Sequence, residues 1–206
     1  MTYESREVLN HAIAIYINEG LRRGQFCVYA TVYYRDEDHI ENFSTLIDNY
    51  KENVEKGNLL IVDLAPFYIA SLVGDMKPFE DAKKLFAENV KERAEKHIRF
   101  VGDGTGFLFK NRHFDECAML EEWWQDKPFE GSYVCLFSKQ SFNSYPYGMY
   151  SNRAIIGTHD IVIDASDIII SNSNNGQMND QQSLSPMFMQ GVNKDNTHLD
   201  MRGGNK

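Results

Sequence analysis

At 206 residues, 13% of them aromatic, the chain is long enough for one domain with a sizeable core and a tail, or for two small domains. A formal net charge of −9 argues against a phosphate-tracking surface, so nucleic acid is not an expected partner. Three cysteines, Cys27, Cys117 and Cys135, at unpaired spacings argue against a disulfide framework. With no leader-like start and no apolar run near the ~18–20 residues that span a bilayer, a cytoplasmic protein away from the membrane is expected.

Residues 7–17 carry Val8, Ala12 and Ile15 at helical spacing with Ile13 and Ile17 beside them, which predicts a helix wide enough to be sandwiched between layers. Arg22 and Arg23 suit its last turn, and Gly24 suits a left-handed ending. Residues 26–32 form an unbroken apolar, β-branched and aromatic run, the pattern of a strand covered on both faces. Asp36 can cap a second helix with Ile40, Phe43, Leu46 and Ile47 as its stripe; His39, in its first turn, reads as solvated. Residues 59–64 predict the second strand. Pro78 opens the clearest amphipathic helix, with Phe79, Ala82, Phe86, Val90, Ala94 and His97 on the apolar side and Lys83 and Lys84 on a solvated one.

A third strand, residues 98–101, ends in Gly102-Asp103-Gly104-Thr105-Gly106, read as a flexible loop because the spacing is not G-x-G-x-x-G. A helix is expected within residues 107–125, with Glu121-Glu122 on a solvated face. A fourth strand covers residues 133–137, and residues 160–164 read as a last one. From Ser171 the composition turns to Ser, Asn, Gln and Asp, so the domain is placed at 1–170 and a disordered tail at 171–206. The alternation of helix and strand predicts an α/β fold: three layers, a mostly parallel sheet with helices on both faces.

The strand-end residues carry the candidate chemistry. Tyr33 and Arg35 leave the first strand, Asp63 and Asp103 close the next two, and Thr105 lies just beyond; with Trp123 they form a candidate pocket for a small polar or anionic ligand. Trp123 and Trp124 point about 100° apart on a helix, so one is expected on the sheet and the other at a pocket or interface. His113 and Cys117 share a helical spacing, yet no second pair completes a zinc set, and no metal is expected. No Ser/His/Asp or Cys/His arrangement stands out, so no catalytic residue is named.

Four runs carry a resemblance: E-G-L-R-R-G-Q-F-C-V-Y-A-T (19–31), K-G-N-L-L-I-V-D-L-A-P (56–66), E-R-A-E-K-H-I-R-F-V-G-D (92–103) and W-W-Q-D-K-P-F-E-G-S-Y-V-C-L-F-S-K (123–139). Together, over about residues 4–164, they resemble the DcmR-type sensory domain of methanogens and methylotrophs (MEDS). That family in turn looks like a degenerate relative of the KaiC and RecA-like ATPases. The resemblance implies a RecA-like fold in which Asp103 falls at the Mg²⁺-binding carboxylate. It also exposes a departure: no G-x-x-x-x-G-K-[ST] loop, and no strand carrying one, stands before the first helix. ATP hydrolysis by this chain alone is therefore not expected, nor is a cofactor.

A vacant central position would leave unpaired strand edges, so the sheet must close ranks, insert residues 161–164 or accept a strand from elsewhere, and a homodimer or a partner protein is expected. The expected function is a non-catalytic sensory or regulatory module that binds a small molecule and signals by conformation or association. The alternative is an interaction subunit without a ligand. A nucleotide-binding or ATPase-like subunit ranks third.

Overall fold

The computed structural model describes residues 1–93, 97–125, 130–144, 159 and 161–175. At its centre is β2 (Phe26–Thr31), buried along its whole length as its apolar run requires. Four parallel strands stand in the order β3 (Leu59–Asp63), β2, β4 (Ile98–Gly102) and β5 (Gly131–Cys135). Their registers include Tyr29 beside Ile61 and Val101, and Val101 beside Val134. One residue past β5 the chain pairs on its other edge. There β6 (Phe137–Ser138) lies parallel to β1 (Thr2–Tyr3), and Thr2 in turn bridges Asp164. The fold class read from the sequence is the one observed.

The position expected to be vacant is filled from within the chain. Thr2–Tyr3 precede α1 (Arg6–Arg22) directly, held by Met1 N to Cys135 O at 2.7 Å, Phe137 N to Met1 O at 2.9 Å and Thr2 N to Ile163 O at 2.9 Å. The strand expected at 160–164 is reduced, among the described residues, to the single bridge at Asp164. Beyond it Ala165–Asn175 form a helix that runs five residues past the expected domain boundary at 170. Residues 176–206, the rest of the expected tail, lie outside the described residues.

Alternation along the strands builds two covers. Cys27, Tyr29, Val101 and Val134 face α1, with Phe43 of α2 (Glu37–Thr45) and Ile168 of the 165–175 helix completing that core. Phe26, Val28, Ala30, Ile98 and Phe100 face the other way, onto Phe86 and Val90. These belong to α5 (Lys77–Lys91), which follows α3 (Tyr50–Glu55) and α4 (Ala65–Leu72). A third cluster joins α6 (Gly104–Lys110) and α7 (Phe114–Gln125) through Leu108, Phe109, Cys117 and Leu120, with Phe137 and with Phe142 of α8 (Lys139–Ser144) packed beside them. The helix at Ala165–Asn175 is α9.

Local chemistry sets the ends of these elements. Ser5 caps α1 by accepting from Val8 N at 3.3 Å. Gly24 takes φ 71° as its C-terminal signal implies, and Gln25 N closes onto Gly20 O at 3.0 Å. Arg99, 5% exposed inside β4, donates to Gln25 Oε1 at 2.7 Å and to the Tyr16 carbonyl at 2.8 Å, which ties the sheet to the helix above it.

The glycine run after β4 is not a loop. The helix α6 begins at Gly104, because its backbone lies against the β5–β6 strand: a Cβ on Gly106 would stand 1.8 Å from the Leu136 carbonyl oxygen. Among the described residues no helix is long and apolar enough to cross a membrane. Gly106→Ala is expected to destabilise the fold by about 3 kcal/mol, since it must push one backbone off another. Gly104→Ala, whose Cβ meets only a Leu64 methyl at 3.1 Å, should stay near wild type. Urea unfolding of the two variants tests that order.

Candidate functional site

Strand alternation divides the expected site residues between two places. At the tips of β2 and β4, on the α1 side, Asp103 is 7% exposed and accepts from Thr31 Oγ1 at 2.6 Å and Val32 N at 2.9 Å. Thr31 Oγ1 also accepts from Tyr33 N at 3.1 Å. Arg6, in the first turn of α1, lies with its guanidinium 3.9 Å from the centre of the Tyr33 ring and 3.8 Å from Asp36. Burial pushes the Asp103 carboxyl up to about 6, against the pull of its two hydrogen bonds and of Arg6. Asp103 thus fastens β4 to the end of β2.

Asp63 and Arg35 pair with each other at 3.1 Å, Arg35 largely in solvent, while the second Asp63 oxygen accepts from Ala65 N at 2.9 Å. This carboxylate shapes the turn into α4. His39, expected in solvent, is 5% exposed and packed between Tyr29 and Tyr33, with its Nε2 2.8 Å from the Tyr29 hydroxyl. Burial, with Arg6 next, holds its pKa below the ordinary histidine value.

On the opposite face, at the C-terminal halves of β2, β3 and β4, lies a cavity of about 60 Å³. Its walls are Phe67, Phe79, Phe86, Phe100, Trp123 and Trp124, and Thr105 and Cys135 lie at its polar end. Both tryptophans therefore line it. Trp124 packs its ring centre 4.6 Å from Phe100, while Trp123 donates Nε1–H to Glu80 at 2.6 Å. Lys83, expected in solvent, is 6% exposed: its Nζ donates to the Trp123 carbonyl at 3.1 Å and lies 3.7 Å from the centre of that ring. The two sites meet through Phe107, whose ring is 6.2 Å from Tyr33 and 5.1 Å from Tyr68 on the cavity wall.

Of the expected residues, the structure thus brings Thr105 and Trp123 to the cavity, gathers Tyr33 and Asp103 with Arg6, and leaves Arg35 and Asp63 as a surface pair. Cys117, weighed with His113 as a zinc pair, points into the aromatic core, and His113 faces Glu116. Missed by sequence reasoning were Phe67, Phe79, Phe86 and Phe100 as pocket walls. Their apolar spacing shows a core face but not a gap in it. Glu121 was missed as well, read as solvated and found 3% exposed.

The fold is a three-layer parallel α/β domain with an aromatic-walled pocket at its strand ends. The chain belongs to the MEthanogen/methylotroph, DcmR Sensory domain (MEDS) family, whose model matches residues 1–147. No curated protein and no solved structure matches it.

The buried Asp103 sets a pH dependence. Its folded pKa lies above the usual 3.8, so as pH rises from about 4 to about 6 the unfolded chain ionises first, and Asp103 withdraws stability across that window. By about 1.4 kcal/mol per pKa unit, the loss reaches up to about 3 kcal/mol. Asp103→Asn, whose amide can serve Val32 N and the Thr31 hydroxyl together, should gain stability at pH 7 relative to wild type and none at pH 4. Asp103→Ala should lose about 1–3 kcal/mol at pH 4 by orphaning those two donors. Denaturant titrations at the two pH values measure both.

Proposed function

We propose that this sensory domain binds a small, mostly apolar molecule bearing one polar group in the cavity between the sheet and α4, α5 and α7. The observation that carries the reading is the cavity itself: aromatic walls, strand carboxyl ends, and few polar side chains, Tyr68, Thr105 and Cys135 among them. Its 60 Å³ admits roughly five water-sized groups at ~10–15 Å³ each, which suits a ligand, or the buried group of a ligand, of a few non-hydrogen atoms. The polar or anionic ligand expected at Tyr33, Arg35, Asp63 and Asp103 gains less support, because those groups already satisfy one another. Ligand would signal by favouring one of two conformations, through differential affinity alone. The aromatic link Trp123–Phe79–Phe67 on the helices α4, α5 and α7 is the element nearest to it.

Kinship to the RecA-like ATPases is part of the proposal, supported by the strand order and by α1 following β1. The reading stays non-catalytic: between β1 and α1 stand only Glu4 and Ser5, and Ser5 already caps the helix end that would otherwise face a phosphate.

Association with a second chain keeps a specific support. Among the described residues β3 pairs on one edge only, and Ile69 and Val73 stand 64% and 75% exposed on and just after the helix beyond it. A stable, monodisperse monomer in light scattering would remove that reading.

The ligand reading is tested by thermal shift with a panel of alcohols, thiols, amines and halides of one to four carbons, nucleotides serving as comparison. Members of the apolar panel should raise the melting temperature in wild type, and Ala82→Leu, which fills the cavity, should abolish the response. A flat panel, or a response that survives the filled cavity, would refute the pocket.

A further inference from the structure

Glu121 is a carboxylate on the inner side of α7, 3% exposed, in a position its sequence neighbour Glu122 does not share. Its Oε2 accepts from Cys135 Sγ at 3.3 Å and lies 3.4 Å from His159 Nε2, while its Oε1 is buried with no hydrogen-bond partner. Cys135 ends β5, and the Thr105 hydroxyl hydrogen-bonds its sulfur. The three ligand atoms lie within 4.8 Å of one another. Bonds of about 2.0–2.3 Å to one tetrahedral ion place such atoms roughly 3.5 Å apart, so the set closes with small side-chain adjustments.

We propose that Glu121, Cys135 and His159 bind a divalent transition-metal ion of borderline softness, of the Zn²⁺ type. The donor set points there: one thiolate, one imidazole and one carboxylate suit Zn²⁺ and its neighbours better than Mg²⁺ or Ca²⁺, which take oxygen alone. Charge points the same way. Without an ion, the buried Glu121 carboxylate faces the Cys135 thiol through one oxygen and leaves the other without a partner. A dication accepts both anions: Cys135 releases its proton to solvent, a metal–sulfur bond forms, and the idle Glu121 oxygen gains a partner. Thr105 then supports the sulfur from outside the coordination shell.

Cys135 also lines the cavity, so the ion would stand at its polar end, with a fourth position for water. Resting on the ligand reading above, that position would instead take the polar group of a bound molecule. The metal site itself stands on the three side chains and holds or fails separately.

The test uses the full chain stripped with chelator and titrated with Co²⁺. Uptake should saturate at one equivalent, with a thiolate-to-metal charge-transfer band in the near ultraviolet that Zn²⁺ bleaches. Cys135→Ser should lose the band with an unchanged far-ultraviolet circular dichroism spectrum, and His159→Ala should weaken binding at least about tenfold. X-ray absorption of the Zn²⁺-loaded wild type needs no variant: it should give one sulfur at about 2.3 Å and nitrogen or oxygen at about 2.0 Å. No stoichiometric uptake, a first shell without sulfur or with more than one, or affinity unchanged in His159→Ala would overturn the site. The thermal-shift panel on stripped protein reports the cavity independently of all four outcomes.

Discussion

The contact between α6 and the strand run β5–β6 governs how this domain is arranged. With Gly106 against the Leu136 carbonyl, the helix starts within two residues of the end of β4, and no loop intervenes. Asp103 and Thr105 are then locked on opposite sides of the junction. Asp103 turns to Thr31 and fastens the strand tips, while Thr105 turns to Cys135 at the polar end of the cavity. A side chain at Gly106 would lift the helix and loosen both. Arg99 plays the matching part at the other end of the strand, buried against the Tyr16 carbonyl and Gln25.

The layers were legible because their signals are local. The unbroken run of residues 26–31 could only be a strand covered twice, and the α1 stripe could only lie on it. What escaped are groups whose fate depends on residues distant in sequence. Lys83 stands four residues after Phe79 and three before Phe86, on the buried stripe of its helix; its charge argued for solvent, yet the Trp123 ring and carbonyl, forty residues away, hold its ammonium. His39 and Glu121 follow the same logic: each is buried because partners from another element receive it. Polarity assigns such a residue to water even where helical spacing puts it on the inner face, and nothing local reports the distant partner that receives it. The glycine run misled for a related reason. Its glycines serve a close approach between backbones rather than a turn.

The candidate site shows how far convergence in sequence differs from convergence in space. Residues at the carboxyl ends of parallel strands gather at one edge of the sheet, so Tyr33, Asp63, Asp103 and Thr105 looked like one pocket. A pleated strand sends neighbours to opposite faces, and the helix that follows β4 continues that division. The polar residues found one another at the tips, and the aromatic residues were left around an empty volume beneath α4, α5 and α7. An aromatic bridge through Phe107 is what remains in common.

The shortness of β1 gives the sheet a seam. Its ladder consists of a handful of backbone hydrogen bonds, Met1 N to Cys135 O, Phe137 N to Met1 O and Thr2 N to Ile163 O among them. At about 1 kcal/mol net apiece, they are worth only a fraction of the 5–15 kcal/mol that typically holds a domain together. The four longer strands can therefore stay intact while this rail lifts, exchanging backbone partners for water. The rail passes beside Cys135, so a change in the packing of that residue is felt along a line of low opening free energy.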